Sequence, residues 1–119
     1  MCGRHRQRVD GWCILTVMRV TIQYFEGCPH WKLADARVKN AIRDVARDDV
    51  EVDYELIDSP EAAERARFRG SPTVLIDGRD PFARGDEAFG LSCRVYDTGE
   101  GTQGAPSEAQ LRTLLATSA

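Results

Sequence analysis

The stretch Gln23-Tyr24-Phe25-Glu26-Gly27-Cys28-Pro29-His30-Trp31 limits the fold more than any other part of the chain. Arg19 to Phe25 alternates Val20, Ile22 and Tyr24 against Thr21, Gln23 and Phe25, the two-residue period of a strand with one apolar face. Gly27 breaks that run. From Pro29 onward Trp31, Ala34, Val38, Ala41, Ile42 and Val45 recur at three- and four-residue steps, which predicts a helix of four to five turns. Pro29 suits the first helical position, where its missing N–H would have no intrahelical partner. Cys28 is thereby expected at the N-cap, between a strand and a helix.

Further elements follow in alternation. Val50 to Ile57 sets Val50, Val52, Tyr54 and Leu56 against Glu51, Asp53 and Glu55, a half-buried strand. Residues 58–70 open a short helix, with Ser59 as N-cap, Pro60 at the first position and Gly70 as the stop. Ser71-Pro72 leads into a third strand, Thr73 to Ile76, which leaves through an Asp77-Gly78 turn. Residues 79–90, with Asp80, Asp86 and Glu87, read as a solvated loop. A fourth strand is expected around Leu91 to Tyr96, with Leu91, Cys93 and Val95 facing the core. After a Gly-rich connector the chain closes with a helix over 107–116, where Ser107 and Gln110 are spaced as a capping box and Leu111, Leu114 and Leu115 face inward.

Composition narrows the function classes. At 119 residues, 42% hydrophobic and 29% charged, the chain has room for one domain with a modest core. Its longest apolar run near the start, Trp12 to Met18, is too short to span a bilayer, so no membrane partner is expected. Of 16 basic and 19 acidic residues, positions 1–17 hold Arg4, Arg6 and Arg8 against Asp10, which leaves 13 basic and 18 acidic residues in the body. That acidic balance argues against a nucleic-acid partner. Cys2, Cys13, Cys28 and Cys93 lie far apart, and the basic start, interrupted by Asp10 and followed by no small-residue cleavage site, does not read as a signal peptide, so a reducing cytoplasm is expected. Cys2, His5 and Cys13 form only a loose zinc set, and a flexible basic extension over 1–17, ahead of a domain at 18–119, is preferred. Neither a cofactor nor a metal is expected.

The order strand, cysteine, helix, strand, helix, proline-led strand, strand, helix resembles the thioredoxin-like superfamily over roughly residues 18 to 119. Within it, Cys28-Pro29-His30-Trp31 resembles the C-P-H-C motif of DsbA-type disulfide oxidants, with Trp31 in place of the second cysteine. The chain is also similar to small bacterial proteins labelled thioredoxin-like, sometimes alkylmercury lyase-like, which share a YFEGCP-x-W opening and a GSPT loop. The resemblance implies an α/β fold with a four-stranded mixed sheet flanked by three helices. It also implies that Ser71-Pro72-Thr73 is a cis-proline loop packed against a reactive Cys28. In the family's sheet order Cys93 lies two strands from the first, about 10 Å away at ordinary strand spacing. A disulfide needs Cα atoms within about 7 Å. Cys93 therefore reads as a buried structural cysteine unless the fourth strand is irregular.

Helix N-termini stabilise thiolates through free N–H groups and partial positive charge. His30 can add a positive charge or a hydrogen bond, while Glu26 repels a thiolate. The candidate catalytic residues are Cys28, His30 and Cys93, with His30 as a modulator of the thiol in preference to a metal ligand. Trp31, Ser71, Pro72 and Thr73 are the candidate substrate-binding residues, Trp31 either packing against the domain or walling the sulfur. The expected activity is thiol–disulfide exchange through Cys28 with a protein or low-molecular-weight thiol or disulfide. Pro72 and the backbone of Ser71–Thr73 would hold the partner's extended chain, and a small thiol or Cys93 would resolve the intermediate. One alternative is a non-catalytic binding module shaped by Trp31, His30 and the proline loop. The other is organomercurial cleavage by Cys28 and Cys93, with Asp35 one helical turn past Trp31 as a proton donor.

Overall fold

The structure, a computed structural model, describes residues 17–85 and 87–117. Cys2, His5 and Cys13 of the basic extension lie outside those residues, as does Asp86. The elements run β1 (Met18–Tyr24), α1 (His30–Asp44), β2 (Val50–Leu56), α2 (Pro60–Ala66), β3 (Thr73–Ile76), β4 (Tyr96–Thr98), β5 (Gly101–Gln103) and α3 (Glu108–Thr117). The described residues form a small mixed α/β arrangement with three helices. Among the described residues no helix is long and apolar enough to cross a membrane.

β1 is the centre of a three-stranded sheet, parallel to β2 and antiparallel to β3. Its alternation does what a strand period of two requires: Met18, Val20 and Ile22 are buried, with Val20 opposite both Val52 and Ile76. α1 lays Ala34, Val38 and Ala41 on that surface, and α3 adds Leu111 and Leu115 to the same cluster. Two small alanines on α1 allow close approach of helix to sheet. Ser107 and Gln110 form the reciprocal capping box: the Ser107 N–H donates to Gln110 Oε1 at 2.9 Å, and the Gln110 N–H donates to Ser107 Oγ at 3.1 Å. A second cluster of Ile57, Ala63 and Phe68 holds α2.

The expected single four-stranded sheet is not formed. β4 and β5 make a separate two-stranded antiparallel sheet, and residues 91–95 pair with β3's leading segment through an isolated parallel bridge, Ser71 with Cys93. The facing expected for this segment is also reversed. Leu91, Cys93 and Val95 are exposed, whereas Arg94 and Tyr96 are buried. Shifting a period-two pattern by one residue exchanges its faces, and here buried polar partners select the face. Arg94 pairs with Asp80 at 2.7 Å, the two side chains being 6% and 4% exposed, and Arg94 also donates to Thr73 Oγ1. Tyr96 packs edge-on against Phe82 and donates its hydroxyl to the Pro72 carbonyl. Burial pushes the Tyr96 hydroxyl pKa upward.

The loop after β3 is therefore not simply solvated. Asp77 and Gly78 both have positive φ, at 52° and 83°, and close a tight turn in which Ile76 and Arg79 exchange backbone hydrogen bonds. Beyond it Asp80 is buried on Arg94, and Arg69 meets both Glu87 and the Phe89 ring. Two smaller expectations also change. Tyr54 and Leu56 on the outer end of edge strand β2 are exposed, at 44% and 45%. α2 ends at Ala66 because Arg67 takes the left-handed cap conformation, so Gly70 is not its stop.

Candidate functional site

Cys28 lies one residue further from α1 than the N-cap. The helix begins at His30, Pro29 is the cap residue in helical backbone geometry, and the Cys28 N–H closes a turn onto the Phe25 carbonyl at 3.2 Å. A one-residue difference at a helix end is within ordinary variation of such boundaries. Cys28 has no exposed surface. Its Sγ donates to the Ser71 carbonyl at 3.4 Å and lies 3.9 Å from His30 Nδ1.

Ser71 is where the two halves of the site meet. The Ser71–Pro72 peptide bond is cis. The Ser71 N–H donates to the Ser92 carbonyl at 2.7 Å, and its carbonyl accepts from the Arg94 N–H at 2.8 Å. The chain's own residues 92–94 thus run along the segment on which an external strand was expected to pair, and such a strand would first have to displace them. This clasp carries Cys93 to Cys28. The sulfurs of Cys28 and Cys93 and a ring nitrogen of His30 all lie within 4.8 Å of one another. Cys93 is exposed and not a buried structural cysteine. Its thiol pKa is raised, first by a hydrogen bond with Cys28, then by desolvation and by its electrostatic interaction with Cys28.

Glycines permit both approaches. Gly70 has φ +117°, and a methyl group there would come 3.0 Å from Arg94 Cβ and 3.1 Å from the Ser92 carbonyl oxygen. Gly104, between β5 and α3, lies against the His30 ring, where a methyl group would sit only 2.4 Å from Nδ1. These two glycines, together with the Arg94–Asp80 pair, are positioning residues that sequence reasoning missed. An arginine inside an otherwise apolar alternation was the one available signal.

The remaining candidates are placed differently. Trp31 stacks on Tyr24 with centroids 4.3 Å apart and meets Tyr54 edge-on at 6.3 Å, on the face shared by α1, β1 and β2. Thr73 is buried in β3, donating its hydroxyl to the Gly70 carbonyl at 2.6 Å. Asp35 accepts from Tyr54 and pairs with Lys39 at 3.2 Å. Beside Cys93 opens a cleft of about 440 Å³ whose lining includes Phe82, Arg69, Arg84 and Tyr96. No family model matches the chain, and no curated protein matches it.

Proposed function

We propose that the protein is a thioredoxin-like thiol–disulfide exchange protein whose working dithiol is Cys28 and Cys93. The observation that carries this reading is the convergence of the two sulfurs beside Ser71. Support for the thioredoxin-like assignment comes from the order of β1, Cys28, α1, β2, α2 and the proline-led β3, and from the contact between Cys28 and the residue preceding Pro72. Action through Cys28 alone gives way to a pair, because of the two cysteines among the described residues Cys28 is buried and Cys93 is exposed to a disulfide from outside.

Cys93, as thiolate, attacks one sulfur of an external protein or low-molecular-weight disulfide. That S–S bond breaks, a mixed disulfide forms, and the departing thiolate takes up a proton. Cys28, its proton passed to His30 or solvent, then attacks the Cys93 sulfur and expels the second half of the substrate as a thiolate. Two electrons leave the dithiol, one external disulfide becomes two thiols, and a Cys28–Cys93 disulfide remains. In a reducing compartment such as the cytoplasm the pair would rest as thiols.

The test is reaction of the reduced chain with bis(2-pyridyl) disulfide, using Cys2→Ser and Cys13→Ser to silence the extension. The parent should release two thiopyridones, Cys28→Ser should stop at a stable mixed disulfide on Cys93, and Cys93→Ser should lose most of the rate. A Cys93→Ser variant as fast as the parent contradicts the reading. Since Cys93 is held above the ordinary cysteine pKa and Cys28 is the leading cause, Cys28→Ser should move Cys93 alkylation to lower pH.

A further inference from the structure

We propose that Cys28, His30 and Cys93 form a three-ligand site for a thiophilic divalent cation of the zinc type, with a fourth position left open. Two thiols and an imidazole are a donor set that selects such ions over the hard, oxygen-preferring magnesium and calcium. In a tetrahedral site with Zn–S bonds of about 2.3 Å and Zn–N bonds of about 2.0 Å, ligand atoms stand about 3.5 to 3.8 Å apart. Cys28 Sγ and His30 Nδ1 are already 3.9 Å apart. The full set spans no more than 4.8 Å, so closing it needs a contraction of about 1.3 Å or less.

The burial pattern fits an ion that must enter and leave. Cys28 forms the inner wall, while His30 and Cys93 are exposed and open to an arriving cation. Packing against Gly104 limits how the imidazole can lie, the kind of outer-shell support that orients metal-binding histidines. Binding releases the thiol protons, and two thiolates then balance a divalent charge. Three protein ligands with one open position is the pattern of exchangeable or catalytic zinc sites, whereas structural sites carry four. This inference goes beyond thiol exchange and competes with it, because a metal and a Cys28–Cys93 disulfide require the same two sulfurs.

The experiment is an anaerobic titration of the full reduced chain, carrying Cys2→Ser and Cys13→Ser, with Co(II) followed by Zn(II). One equivalent of Co(II) should give thiolate charge-transfer absorption and the visible bands of four-coordinate cobalt, both abolished by stoichiometric Zn(II). His30→Ala should weaken binding about tenfold or more, and Gly104→Ala, which displaces the ring, should weaken it by about 10- to 100-fold. Carbamidomethylation of Cys93 in the otherwise unchanged folded chain should abolish the charge-transfer absorption, which keeps the test independent of whether Cys28→Ser folds. Absence of stoichiometric binding overturns the proposal, as does binding indifferent to Cys93 blockage or to His30→Ala. A chain that binds no cobalt yet forms the Cys28–Cys93 disulfide would overturn the metal site alone.

Discussion

Residues 18–44 and residues 90–98 each deliver one thiol to the same place, the first by local rules and the second by long-range ones. β1 ends, a turn closes on Phe25, and α1 begins, so Cys28 is fixed by elements adjacent to it in the chain. Cys93 belongs to no strand. It is held because Arg94 reaches Asp80 and Thr73, because Tyr96 reaches Pro72, and because Ser71 is clasped between Ser92 and Arg94. Half of the dithiol therefore depends on contacts distant in the chain, a buried ion pair among them.

Breaking that pair should separate the two regions most. Asp80→Ala leaves the Arg94 guanidinium buried without its carboxylate, a change that costs about 3–5 kcal/mol in comparable buried pairs. Urea unfolding should register that loss, and oxidant-driven closure between Cys28 and Cys93 should slow. Unchanged closure would mean that the ion pair does not position Cys93.

Gly70→Ala attacks the same clasp through the backbone. With φ +117° and Arg94 Cβ at 3.0 Å, it should destabilise by about 1–3 kcal/mol and push residues 92–94 away from Ser71. Amide hydrogen exchange should rise at Ser71 and Arg94, whose N–H groups make those bonds. The smallest effect is expected far from the thiols. Ser107→Ala removes the α3 cap for about 1 kcal/mol and should leave thiol exchange intact. A stability loss without a thiol effect here, set against coupled losses at Asp80 and Gly70, separates fold maintenance from site positioning.

The same division explains what was legible in the sequence. Periodicity and caps are local signals, so β1, α1, Thr73–Ile76, the Ser59 cap and the Ser107–Gln110 box could be read within a residue or two. The cis-proline loop beside Cys28 was legible through resemblance. Residues 91–96 were not, because apolar alternation assigns Leu91, Cys93 and Val95 inward while Asp80, fourteen positions before Arg94, pulls the other set in. The sheet thereby loses its expected fourth strand, and the Cys93 distance argument, which assumed regular strand spacing, loses its premise.

The most direct measurement is disulfide mapping of the Cys2→Ser, Cys13→Ser chain after stoichiometric oxidation, by mass spectrometry of unreduced peptides. Convergence of the two thiols predicts a monomer with Cys28 joined to Cys93 in high yield. Cys93–Cys93 dimers with Cys28 left reduced would contradict it.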